Sequence, residues 1–212
     1  MKNLPIGIQS FGKLREYEYD YIYVDKTPLV QKLVSSGGVF FLSRPRRFGK
    51  SLLLSTIEAI FRGEKELFEG LHIYDKWDWT KQHPVIRIDW TLISHATPEQ
   101  IQISMPLFLK RIAEGYQVSL ISESAADCFG ELIDRLYEKT GDKVVVLVDE
   151  YDVPILDVMS KTRAELRAIQ ESLHDIYKVI KGADDHLRFV FLTGVSKFAG
   201  LSIFSALNNL TD

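Results

Sequence analysis

The chain has 212 residues, 46% hydrophobic and 26% charged, with a net charge of −3; this is material for one buried core and at most a small appendage. The charge excludes a global basic field for nucleic acid or anionic lipid, so nucleic acid binding is not established. The lone Cys128 excludes an intrachain disulfide framework and reads as a small buried helix residue.

No apolar run approaches a membrane span, and Met1 to Gly7 shows no secretory core. A cytoplasmic protein with no membrane partner is expected. Residues 1–37 read as an N-terminal lead-in and helix, rich in aromatics (Phe11, Tyr17, Tyr19, Tyr21, Tyr23). Asp25-Lys26-Thr27-Pro28 predicts the helix start, with Thr27 as N-cap and Pro28 at the first helical position. Gly37-Gly38 ends it.

Val39 to Leu42 is a brief apolar run that suits a strand buried on both faces of a parallel sheet. Ser51 to Phe61 predicts a helix, and Val85 to Asp89 a second strand. Helical stretches follow at Pro98 to Tyr116, broken or kinked by Pro106, and at Ser124 to Lys139. Val144 to Asp149 is the strongest strand signal. Ala164 to Lys181 is an amphipathic helix with Leu166, Ile169, Leu173, Ile176 and Ile180 on one face, and Phe189 to Thr193 is a fourth strand. Strands alternating with helices predict an α/β fold whose mainly parallel sheet is covered on both faces.

The sharpest chemical signal is Ser43-Arg44-Pro45-Arg46-Arg47-Phe48-Gly49-Lys50-Ser51 between a strand and a helix. A helix N-terminus presents unpaired N–H groups and a partial positive charge, so a loop wrapped ahead of it cradles phosphates. This is the arrangement of a P-loop (Walker A) nucleotide site. Residues Arg44, Pro45, Arg46, Arg47, Phe48, Gly49, Lys50, Ser51 and Leu52 are the expected ATP-binding set. Gly49 lets the backbone approach the phosphates, Lys50 reaches the β- and γ-phosphates, and the Ser51 hydroxyl ligates Mg²⁺. Arg44 stands where the P-loop pattern has its first glycine. The arginines at 44, 46 and 47 read equally as a solvated turn or as extra phosphate contacts, since guanidinium pairs bidentately with phosphate.

Val144 to Asp149 ends in Asp149-Glu150, the pattern of a Walker B strand. In P-loop ATPases the aspartate here holds the Mg²⁺ shell, and the following glutamate orients and polarises water. Asp149 is thus the metal residue beside Ser51, and Glu150 is the catalytic base. Asp152 reads as a magnesium-shell member or, preferably, as the cap of the next segment. Asp89 reads as structural, at the sheet's carboxyl edge. At the end of the fourth strand, Thr193 is the first candidate for contact with the γ-phosphate or the water, and Ser196 the second. With Glu150 and Lys50, Thr193 completes the expected catalytic set. His72, His83, His95, His174 and His186 show no metal-ligand spacing and read as surface or loop residues.

Three segments, Tyr23-Val24-Asp25-Lys26-Thr27, Arg44 to Ser51, and Val148-Asp149-Glu150-Tyr151-Asp152-Val153-Pro154, together resemble the predicted AAA-ATPase-like family of bacterial proteins. The resemblance covers essentially the whole chain, and arginine at the first glycine position is typical of that family. It implies a three-layer P-loop NTPase fold of the ASCE/AAA-like type, with ATP and Mg²⁺ as ligands. It also implies a PD-(D/E)XK nuclease-like domain after the P-loop domain, absent from this chain. Residues 1–212 are then expected to form a single P-loop ATPase domain, with 38–212 an incomplete nucleotide-binding core lacking its last strand. On that reading the sequence is a fragment, and Val39 to Leu42 lies at or near an exposed sheet edge. No arginine finger is assignable, and oligomerisation is left open.

The expected function is Mg-dependent ATP binding and hydrolysis that drives conformational change in a larger protein. The alternative is a non-hydrolysing nucleotide-binding switch or scaffold. A small-molecule P-loop kinase is disfavoured, because the Asp149-Glu150 pair follows a long strand and no lid-type arginine cluster is visible.

Overall fold

A computed structural model describes residues 3–196 and 210–211. After a single helical turn, α1 (Phe11–Arg15), the chain forms α2 (Thr27–Ser36) and β1 (Gly38–Ser43). Then come α3 (Lys50–Phe61), β2 (Val85–Asp89), α4 (Pro98–Gly115), α5 (Ala125–Thr140) and β3 (Val144–Asp149). A short α6 (Val153–Leu156), a long α7 (Arg163–Gly182), β4 (Leu187–Gly194) and β5 (Leu210–Thr211) complete the order. The strands lie in the order β2-β3-β4-β1-β5, every pairing parallel. The fold is the expected α/β, three-layer P-loop NTPase type.

The side-chain alternation of β3 explains the three layers. Val144, Val146 and Val148 face a core built from α4, α5 and α7, while Val145 and Leu147 face a core built on α2 and α3. All six β3 residues are buried, so the strand lacks a polar face and reads as a continuous apolar run. Between the layers, the Trp90 indole beyond β2 donates to the Tyr177 hydroxyl of α7 at 2.7 Å. Burial of that hydroxyl raises its pKa well beyond the phenol range.

Helix ends follow local capping chemistry. The Thr162 hydroxyl accepts from the Glu165 N–H while the Glu165 carboxylate accepts from the Thr162 N–H, a reciprocal capping box that starts α7. Thr97 and Ser124 cap α4 and α5 in the simpler one-way form.

Three expectations need correction. Thr27 is the first residue of α2 rather than its cap: Asp25 Oδ1 accepts both its N–H (2.8 Å) and its hydroxyl (2.6 Å). A carboxylate two residues upstream is the stronger acceptor for the first-turn donors. Pro106 does not break α4, which runs unbroken from Pro98 to Gly115 with Pro106 buried against its neighbours. Packing against α5 and α7 outweighs the one backbone hydrogen bond proline removes. Finally, β1 is not the sheet edge, because Val39 and Phe40 pair with Leu210 and Thr211 of β5 on the side away from β4. The outer strand therefore exists, as two residues. Among the described residues, no helix is long and apolar enough to cross a membrane.

Candidate nucleotide site

At the carboxyl ends of β1, β3 and β4 two segments converge. The first is the loop from Ser43 to Gly49. Its residues from Arg44 to Gly49 are exposed, Phe48 at 66%. Gly49 has φ +77° and immediately precedes α3. A Cβ there would meet no atom within 4 Å, so glycine is required by the backbone angle rather than by crowding. Arg47, at φ +68°, is the other left-handed residue of the loop, whereas Arg44 is not left-handed. Arginine is therefore tolerated where the pattern has its first glycine, because the backbone there does not need glycine's freedom.

Lys50 is the buried member of this segment, only 5% exposed. Its ammonium donates to the carbonyls of Arg44 (3.2 Å) and Pro45 (3.5 Å), so the loop curls around its own lysine. The same Nζ lies 3.5 Å from Glu150 Oε1. Ser51 and Leu52 are half-buried in the first turn of α3. The side chains of Arg46, Arg47 and Phe48 point to no partner in the acidic turn.

The second segment is that acidic turn, Asp149 to Asp152. Asp149 is 1% exposed; its Oδ1 accepts the Thr193 hydroxyl at 2.7 Å, and Arg87 approaches its Oδ2 at 3.9 Å. Thr193 is fully buried. Its hydroxyl proton is committed to Asp149, which places Thr193 behind the carboxylate. Glu150 adopts φ +53°, a left-handed angle that costs a side-chain-bearing residue about 1–2 kcal/mol. Its Oε2 is buried with no hydrogen-bond partner. Burial raises the Glu150 pKa most; Lys50 opposes that, and Asp149 and Asp152 add to it.

Asp152 is fully buried, and its Oδ2 accepts the N–H groups of Val195 (2.9 Å) and Ser196 (2.8 Å). The expected cap on the following segment is not formed: the Asp152 side chain bonds the β4 exit and makes no capping bond to α6. The two β4-exit N–H groups are nearer, adjacent donors for one oxygen. Asp89 is also structural, accepting the Thr91 N–H and hydroxyl. None of the five histidines is buried, and among the described residues no three His, Cys, Asp or Glu side chains gather as a metal cage. Ser196 contributes its main chain here, while Lys197, at the end of the same stretch, lies outside the described residues.

Sequence reasoning missed Arg87. In the centre of β2 it bonds Glu58 of α3 at 2.9 Å and faces Asp149, so it ties the phosphate-loop helix to the acidic strand. Its signal was present in the sequence: a charged residue midway through Val85-Ile86-Arg87-Ile88-Asp89, where a wholly apolar strand costs less to bury.

A lysine from the β1–α3 junction thus lies against the glutamate that follows β3, two strands away in a parallel three-layer sheet. The family model described as predicted AAA-ATPase matches residues 5–204 of the chain. The chain belongs to that family. The predicted AAA-ATPase description supports ATP binding at a coarse level. A curated relative, an uncharacterized protein in the vnfD 5′ region of Azotobacter chroococcum mcd 1, is 48% identical over 214 residues. The alignment takes in 100% of this chain but 40% of the relative, so the chain spans well under half that protein's length.

The residues present suit a magnesium-bound nucleotide. Glu150 and Asp149 set two carboxylates against the cations Lys50 and Arg87, and the second Glu150 oxygen is buried without a hydrogen-bond partner. Magnesium is commonly held by one or two carboxylates together with substrate phosphates and water rather than by an all-protein cage. That is consistent with a site lacking three converging ligands.

Proposed function

We propose that the chain binds ATP with Mg²⁺ and hydrolyses it, and that nucleotide state sets the conformation of a larger protein. The observation that carries this is the Lys50–Glu150 contact at 3.5 Å, which brings phosphate-binding and water-activating groups from separate segments to one point. The ammonium of Lys50 holds the β- and γ-phosphates, with the N–H groups of Gly49 to Leu52 at the start of α3. The remaining loop residues, Arg44, Pro45, Arg46, Arg47 and Phe48, wrap the phosphate chain. Ser51 and Asp149 would hold the cation, which when bound would supply positive charge beside the phosphates. Thr193 serves by fixing the Asp149 carboxylate through its hydroxyl.

Glu150 orients a water and takes its proton. Its raised pKa makes it a better base than an exposed glutamate. With Lys50 drawn to phosphate, Glu150 Oε1 is released to the water. Magnesium-dependent ATP turnover tests this, with Lys50→Ala and Glu150→Gln alongside; turnover unaffected by both substitutions would end the reading.

A second reading, a non-hydrolysing nucleotide switch, draws on the same contact. If Glu150 stays paired with Lys50 when nucleotide binds, it is unavailable to water. Calorimetric titration showing binding without turnover would favour it. We also place the chain in the cytoplasm, as a single ATPase domain beside a nuclease-like domain of a longer protein; the relative's greater length supports additional domains in such proteins without identifying them.

A further inference from the structure

The exit of β4 runs between the phosphate loop and the acidic turn, and its main chain is bonded to both. On the loop side, the Gly194 carbonyl accepts the Arg44 N–H at 3.1 Å and the Val195 carbonyl accepts the Ser43 hydroxyl at 2.9 Å. On the acidic side, the N–H groups of Val195 and Ser196 donate to Asp152 Oδ2. The Thr193 carbonyl accepts the Tyr151 N–H at 2.9 Å, and the Ser196 carbonyl accepts the Tyr151 hydroxyl at 2.8 Å.

The junction has no slack. A Cβ on Gly194 would lie 2.5 Å from the Tyr151 ring and 2.7 Å from Asp152 Oδ1. That Oδ1 is buried without a hydrogen-bond partner, so the carboxylate is held for its other oxygen, the one on the β4 exit. Leaving a buried polar atom unpaired is costly.

The same contacts connect the two chemical groups. Lys50 donates to the Arg44 carbonyl, Arg44 donates to Gly194, and the following two N–H groups end on Asp152. Asp152 lies two residues from Glu150, whose left-handed backbone turns the chain from β3 towards the β4 exit.

We propose that Asp152 is a positioning residue for hydrolysis. Through the Gly194–Ser196 main chain it clamps the Glu150 turn to the phosphate loop, so that phosphate on the loop sets the position of the base. Tyr151 is the second tooth of the clamp. The proposal rests on the nucleotide-binding reading above.

The test compares the wild-type chain with Asp152→Ala, Asp152→Asn and Tyr151→Phe by ADP titration calorimetry, steady-state ATP turnover, and hydrogen exchange of the peptide spanning 194–196. ADP affinity and KM should stay within about threefold throughout, while kcat falls about tenfold or more in Asp152→Ala, because misplacing a reacting group is costly. Asp152→Asn keeps an acceptor for both N–H groups and should restore kcat to within about threefold. Should Asp152→Ala fail to fold, Tyr151→Phe, which removes one hydroxyl, carries the test with a smaller fall in kcat. Magnesium-ADP should slow exchange at 194–196 in the wild type and not in Asp152→Ala.

Wild-type kcat in both Asp152→Ala and Tyr151→Phe, or exchange at 194–196 that ignores nucleotide in the wild type, overturns the proposal. If the wild type binds ADP without turning over ATP, exchange alone decides. Absence of any ADP binding by the wild type overturns the nucleotide reading itself, which separates the two failures.

Discussion

The phosphate loop and the acidic turn are built in opposite ways. From Arg44 to Gly49 the loop is exposed, and its one buried anchor is Lys50, bonded to the carbonyls of Arg44 and Pro45. The acidic turn is buried from Asp149 to Asp152 except for half-buried Glu150, and its two aspartates are bonded to Thr193, Val195 and Ser196. One segment is open to solvent and the other is held by internal hydrogen bonds. Preorganised charge in a buried site stabilises a reacting group without rearrangement at the moment of reaction. A loop that must admit phosphate has to keep its donors reachable.

Substitutions on the two sides should therefore separate affinity from rate. The largest effect is expected from Glu150→Gln, which should lower ATP turnover by about 10²–10⁴-fold, the range for loss of a general base, with ADP affinity nearly unchanged by calorimetry. Lys50→Ala comes next, weakening nucleotide binding by about 100-fold through loss of one charged phosphate donor. If Lys50→Ala instead spares affinity and only slows turnover, the contrast between the two segments collapses.

Thr193→Val tests the buried side at constant volume. Removing a hydroxyl bonded to a carboxylate should cost about 1.5–3 kcal/mol in urea unfolding and raise the magnesium requirement for binding. Arg44→Gly, on the exposed side, should cost about 0.4–1 kcal/mol, because glycine only widens the unfolded ensemble where the native backbone does not need it. Its effect on ADP affinity decides between a solvated arginine and a phosphate contact.

The smallest effect is one of pH. Because burial raises the Glu150 pKa in the folded chain, the folded state binds that proton more tightly than the unfolded state. The stability this contributes is fully present below the ordinary glutamate range and is lost as pH rises through the raised folded value. Glu150→Gln, permanently neutral, should gain stability over the wild type across that same window. Denaturant midpoints measured on both proteins from about pH 4 to about pH 8 check the sign. A constant difference would show that Glu150 titrates alike folded and unfolded.

Much of this was legible along the chain because the signals are local. The strand Val85–Asp89 was read with its observed bounds, since a short apolar run closed by an aspartate depends little on distant residues. The same holds for Val144–Asp149. The loop-and-helix context of Gly49, Lys50 and Ser51 was equally readable. Pro106 misled because intrinsic propensity is a weak prior once a helix is packed against neighbouring helices. The sheet edge misled because Leu210 and Thr211 form a strand only through pairing with Val39 and Phe40, far away in sequence.

The sequence by itself determined the fold class, the strand–loop–helix run from β1 to α3 and the acidic end of β3, since each is written in contiguous residues whose period or order carries its meaning. Only the tertiary structure decided which groups face one another. It gave the Thr193 hydroxyl to Asp149, set Arg87 between Glu58 and Asp149, and hung the β4 exit on Asp152. These contacts join residues 29 to 62 positions apart, and nothing in the local pattern of a strand or turn specifies a partner at that distance. The physical reason is that burial makes each such group find a partner, while the parallel sheet decides which partners lie within reach.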